Sequence, residues 1–174
     1  MCSLKEQIRQ VILFSLLGLF LLASCQPVGE PFQTIYIVRH AEKDLSDPGD
    51  DPVLTPAGEA RADKLREMLK GEDVKVIYST RFSRNINTVL PLGEETGTEV
   101  TIYEANDWFR IVEEIRANPD AGNVLICGHG NTVLPMVSAF GLTPGVDSLA
   151  HDEYDKMFKI ENWGDSLSLE VEVF

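Results

Sequence analysis

"TIYIVRHAEK", residues 34–43, decides how the chain is read. "TIYIV" is a run of β-formers without a helical period, so it reads as a buried strand. The run stops on Arg39 and His40, and Glu42, Lys43 and Asp44 follow. In open α/β sheets, ligands bind beyond the carboxyl ends of the strands. An Arg-His pair at such an end is therefore a candidate for chemistry.

Similar short runs recur: "VKVIY" (74–78), "EVTIY" (99–103) and "NVLIC" (123–127). Between them lie amphipathic stretches. Residues 54–71 read as a helix with Thr55 as cap, Pro56 at its first position and Gly71 past its end. Residues 81–97 read as a helix interrupted near Pro91, 107–118 as an amphipathic helix, and 131–141 as a helix opened by Asn131. The turn-rich, acidic segment 46–53 reads as a loop. "KMFKIE" (156–161) and "LSLEVEVF" (167–174) read as a terminal strand pair, the second at a sheet edge. This alternation predicts an α/β layer fold with a mainly parallel sheet.

Strand ends then collect the reactive residues: Arg39-His40, Ser79-Thr80, Glu104 and Gly128-His129-Gly130, with Arg84 one turn into the helix after the second strand. The chain has three histidines, and two of them stand at these ends. No His-x-x-x-His or Cys-x-x-Cys spacing suggests a metal site, and no cofactor is implied. Arginines beside the histidines suit a tetrahedral anion, because the guanidinium fork matches phosphate oxygens. Arg39 and Arg84 could hold a phosphoryl group, His40 could attack phosphorus, and His129 could stabilise the equatorial oxygens. Gly128 and Gly130 would let backbone approach the ligand, and free N–H groups after Asn131 would favour an anion. Glu42 lies near enough in sequence to line the mouth. His151, Trp108 and Trp163 read as surface or packing residues, and Thr55 and Thr88 as local hydrogen-bonders.

Four segments, in this order, resemble the histidine phosphatase (phosphoglycerate mutase-like) superfamily. They are "VRHAEK" (38–43), "LTPAGEARA" (54–62), "YSTRFSRNINT" (78–88) and "CGHGNT" (127–132). Ala41 stands where the family more usually has Gly. The resemblance covers most of residues 34–161 and looks like a branch of small bacterial exported proteins. It implies a three-layer α/β/α sandwich. It makes His40 the phospho-accepting nucleophile and completes the phosphate pocket with Arg39, Arg84 and His129. The general acid stays open between Glu104, Asp107 and no dedicated acid, since Gly130 follows His129 where the phytase-like branch has a carboxylate.

Residues 1–24 resemble a lipoprotein signal peptide: Lys5 and Arg9, an apolar run, then "LASC" (22–25). Cys25 would carry lipid, residues 25–33 would be a tether, and 34–174 the domain. The alternatives are an ordinary secretory signal or a single anchoring helix. A lipid-anchored protein in the bacterial envelope, outside the cytoplasm, is expected. The formal charge is −13, and it becomes −14 when two cations and one anion leave with the signal. Such a surface argues against nucleic-acid partners. Of three cysteines, only Cys127 would stay unmodified, so no internal disulfide is expected. The chain has no Cys-x5-Arg loop and no Gly-x-Ser-x-Gly elbow. It is expected to hydrolyse a small phosphorylated substrate, without metal and without an obligate protein partner. The alternative is a non-catalytic anion-binding lipoprotein that keeps the fold.

Overall fold

The computed structural model of the protein describes residues 29–46 and 48–174. The segment read as a signal peptide, Cys25 and the first part of the expected tether lie outside the described residues. Within the tether, Phe32 already pairs its N–H with Asn162 O, so the ordered domain begins before residue 34.

Six strands form one sheet: β1 (Gln33–Arg39), β2 (Val74–Thr80), β3 (Val100–Tyr103), β4 (Asn123–Gly128), β5 (Lys156–Asn162) and β6 (Leu167–Val173). Their spatial order is β3-β2-β4-β1-β5-β6. The first four run parallel, β5 is antiparallel to β1, and β6 is antiparallel to β5. The sheet is mixed and mostly parallel, with the terminal hairpin at its edge as the sequence suggests.

Every residue of β1 is buried, because helices cover both faces of the sheet. Ile35 and Ile37 pack with Ile111, Val112 and Ile115 of α3 (Phe109–Ala117) and Val133 and Val137 of α4 (Val133–Ala139). Tyr36 and Val38, of opposite parity, pack with Leu65 and Leu69 of α1 (Pro56–Leu69) and Val89 and Leu92 of α2 (Ser83–Thr96). The result is a three-layer α/β/α sandwich. Each buried aliphatic side chain contributes on the order of 1.5–3 kcal/mol.

α1 starts as expected. Thr55 Oγ1 accepts the Gly58 N–H at 3.1 Å, and Pro56 follows the cap. Its buried face is Gly58, Ala62, Leu65 and Leu69. Gly58 faces inward because the helix rests on the chain after β1, where an added Cβ would collide with the Glu42 carbonyl oxygen. Ala41 is fully buried against Leu54 and Ala62, so its methyl group fills core space.

Two helix expectations are corrected. α2 runs unbroken through Pro91. Proline removes one hydrogen bond there, but the buried face of Asn85, Thr88, Val89, Leu92 and Gly93 holds the helix on the sheet. The helix after β4 begins at Val133 rather than Asn131, because the chain first makes a tight turn. His129 O accepts the N–H groups of Thr132 and Val133, and Thr132 Oγ1 accepts the His129 N–H.

Candidate active site

The strand order sets β2, β4 and β1 side by side, so Thr80, His129 and His40 emerge from neighbouring strand ends. Arg39 is in register with Gly128, and the His40 N–H bonds to Gly128 O at 3.0 Å. The His40 and His129 ring centroids are then 5.6 Å apart, edge to face. α2 opens directly after β2 and carries Arg84 and Asn85 into the same corner. Asn85 Nδ2 donates to Gly128 O at 3.0 Å. Thr88 Oγ1 accepts the Ala41 N–H at 2.9 Å and donates to Arg84 O at 2.7 Å, tying α2 to the chain after β1.

His40 is 4% exposed. Its Nδ1 lies 2.8 Å from Ala41 O. A carbonyl only accepts, so Nδ1 carries the proton and Nε2 keeps its lone pair. Burial, followed by the charges of Arg84, His129 and Arg39, pushes His40 down to about 3, against the Ala41 bond, which raises it. His129 is pushed down to about 4, by burial first and then by Arg84, Arg39 and Lys43. Its Nε2 lies 3.1 Å from Thr80 Oγ1, and the Phe82 ring stands edge-on at 5.5 Å.

Each guanidinium has N–H groups without a partner. Arg84 is 12% exposed in its side chain, and its Nε and Nη1 make no hydrogen bond among the described residues. Asp51 Oδ1 lies 3.7 Å from Nη1, too far for a hydrogen bond. Arg39 donates from Nη1 to Ala150 O and Glu153 O, both at 2.9 Å, and from Nη2 to His151 O at 3.0 Å. Its buried Nε has no partner among the described residues. Buried donors are rarely left unpaired, and a cation needs compensation even more. Two neutral imidazoles beside unpartnered guanidinium N–H groups are chemically matched to an oxyanion. Among the described residues, no three His, Cys, Asp or Glu side chains cluster in a way that could hold a metal ion.

Arg39, His40, Arg84 and His129 are thus brought together as the sequence suggests. The other candidates have different surroundings. Glu42 is gripped by Arg61, with Nε to Oε2 at 2.9 Å and Nη2 to Oε1 at 2.7 Å, and this pairing holds its carboxyl below the usual range. It fastens the chain after β1 to α1 and offers no free carboxylate to the mouth. Asn131 is exposed, in the turn before α4. Glu104 is exposed at the end of edge strand β3, two strand spacings or about 10 Å from the β4 end. Asp107 faces Arg110 at 3.3 Å. The flanking glycines also lie close to their own neighbours. A Cβ on Gly128 would press on Thr132 Oγ1, and one on Gly130 would meet the Arg39 guanidinium at 3.4 Å. Cys127 is fully buried and its thiol is pushed up to about 12 by burial, so it is a packing residue.

Sequence reasoning placed Thr80 at a strand end but gave it no role, and it missed Phe82, Asn85 and Tyr154. The Tyr154 ring lies 5.8 Å from His40 and 4.1 Å from Arg39 Cζ. The role of Thr80 follows from its ending the strand beside the one that carries His129.

Both histidines are depressed in the folded state, so below pH 6.5 the unfolded chain binds more protons. Stability should therefore be full above pH 6.5 and fall as the pH drops. The slope from His40 alone should be up to about 1.4 kcal/mol per pH unit. Glu42, also depressed, adds its loss only below about pH 4.5. Urea midpoints between pH 7 and 5 should report the histidines, and the slope should shrink in His40→Gln. A flat profile would contradict the burial of neutral imidazoles.

The sequence model of the histidine phosphatase superfamily (branch 1) matches residues 35–106. No curated protein matches the chain in sequence. Among solved structures, the protein histidine phosphatase SixA complexed with tungstate superposes with a TM-score of 0.65 at 17% identity, over 80% of this chain and 96% of its own. SixA from Agrobacterium tumefaciens gives 0.62 at 16% identity, over 81% and 98%. The mycobacterial glucosyl-3-phosphoglycerate phosphatase gives 0.58 at 17% identity, over 81% and 97%. At these identities the structural likeness is one of fold. The family model spans the first three motifs, within residues 35–106, and leaves "CGHGNT" (127–132) outside it, while the architecture matches over four fifths of the chain.

Proposed function

We propose that this chain, with its match to the histidine phosphatase superfamily and that superfamily's fold, is a phosphatase working through a phosphohistidine on His40. The observation that carries the proposal is the imidazole itself: proton fixed on Nδ1 by Ala41 O, Nε2 bare, and the ring neutral at physiological pH. A neutral, oriented imidazole is a nucleophile, and one held beside cationic donors is suited to an anionic electrophile.

In the proposed reaction, the Nε2 lone pair of His40 forms a bond to phosphorus as the bond from phosphorus to the leaving oxygen (or nitrogen, for a phosphoramidate) breaks. Arg84 Nε and Nη1 and Arg39 Nε donate to the equatorial oxygens. His129, oriented by Thr80, donates from one ring nitrogen. Water then attacks the phosphohistidine, the P–N bond breaks, and inorganic phosphate leaves while His40 regains its lone pair. Glu104 follows the edge strand β3, Asp107 pairs with Arg110, and Asp51 is bound to the Ser83 N–H and hydroxyl. In this reading no carboxylate is assigned as general acid and the leaving group takes its proton from water, which favours substrates whose leaving group needs little protonation. The enzyme would act at a membrane surface outside the cytoplasm if residues 1–25 are the lipoprotein leader they resemble.

The test is a hydrolysis screen of aryl phosphates, phosphosugars, nucleotides, lipid phosphates and a phosphohistidine peptide, in EDTA. Turnover of at least one class should survive the chelator, because guanidinium groups supply the positive charge. Activity that EDTA abolishes and a divalent cation restores would contradict the assignment.

A further inference from the structure

The segment between α4 and β5 carries none of the motifs, yet it is fastened to the site. Its carbonyls at Ala150, His151 and Glu153 take three of the five guanidinium N–H groups of Arg39. Tyr154 follows at once. The residue is 7% exposed, and its ring lies under Arg39, with Cζ 4.1 Å from the centroid, and 5.8 Å from the His40 ring. The segment is braced from within: Glu153 accepts the Ala150 N–H at 2.9 Å and pairs with Lys156 at 2.8 Å. The Tyr154 hydroxyl makes no hydrogen bond with the described residues, so the ring is the part engaged.

We propose that Tyr154 is a positioning residue for Arg39, whose guanidinium it holds by its ring face so that Nε–H points at the bound phosphoryl group. This rests on the phosphate site proposed above. Two constraints fix a planar guanidinium. The three carbonyls set its rotation in the plane, and the aromatic face sets the plane itself. Without the ring, the carbonyls still hold the charge nearby, but the Nε–H direction is released. A cation over a desolvated aromatic ring is a strong enough contact for this purpose. The segment 150–154 thereby becomes a wall of the site, although it lies more than a hundred residues from Arg39 in sequence.

The test measures inorganic phosphate binding by calorimetry, on the full chain in detergent, with hydrolysis measured alongside. Tyr154→Leu should weaken phosphate binding about tenfold, while Tyr154→Phe, which keeps the ring, should stay within threefold of wild type. In an Arg39→Ala background, Tyr154→Leu should have no further effect on binding, because Tyr154 acts through Arg39. A series of fluorinated phenylalanines at position 154 keeps the shape and drains electron density from the ring face. Binding should weaken stepwise along it, which keeps the test valid even where Tyr154→Leu does not fold. Additive losses in the double variant, indifference to fluorination, or a Tyr154→Phe loss as large as that of Tyr154→Leu would each overturn the role of Tyr154. A wild type that hydrolyses and binds nothing would instead overturn the phosphate site, and this proposal with it.

Discussion

Replacing His40 with alanine should reduce phosphomonoester turnover by at least about 10⁴-fold, the scale on which enzymes lose activity when their nucleophile is removed. The loss should appear in kcat as well as kcat/KM, because the missing bond forms only during reaction. The fold should persist. His40 leaves a small buried cavity and frees Ala41 O, a cost of about 1–3 kcal/mol against a core that covers both faces of the sheet. Circular dichroism and urea denaturation check this beside the assay. A well-folded His40→Ala protein with substantial turnover would reassign Arg39 and His40 to binding.

The second large effect should come from Arg84→Met. Nε and Nη1 are buried and unpartnered among the described residues, so their removal strands no hydrogen-bonded acceptor. The loss should fall on the phosphoryl group in transit. We expect kcat/KM to drop about 10²–10³-fold, as for other preorganised donors to a developing oxyanion. Stability should change little: the variant loses the Asp51 charge at 3.7 Å and the Phe82 ring face at 4.4 Å, but it also removes two buried unpaired donors. There is a further signature. Arg84 lowers both histidines through its charge, so both should titrate at higher pH in the variant, by NMR of the ring protons. Unchanged histidine titration with unchanged kcat/KM would mean that Arg84 faces neither ring.

Much of this was legible in the sequence, for identifiable reasons. A strand buried on both faces shows as an apolar run, so β1 and β4 announce themselves, and β2 does so after its exposed Lys75. Parallel strands put their carboxyl ends on one side, so the residues that end those runs meet. That brings Arg39, His40 and His129 together, with Arg84 a turn into the following helix. What failed depended on partners distant in sequence. Glu42 stands two residues from His40, but Arg61 of α1 claims its carboxylate. Glu104 ends a strand, but that strand is at the sheet edge. Pro91 breaks a helix by local rules and does not do so here, because tertiary burial outweighs one lost hydrogen bond. Tyr154 follows a segment without periodicity, and only the folded chain sets its ring under Arg39.

The most direct measurement traps the intermediate. Protein mixed briefly with an isotopically labelled phosphomonoester and quenched in alkali should carry label on the peptide that contains His40. The label should survive base and be released by mild acid, as a phosphorus–nitrogen bond requires, and His40→Ala should carry none. Turnover without any trapped label, label on a different residue, or label that resists acid would contradict a phosphohistidine at His40.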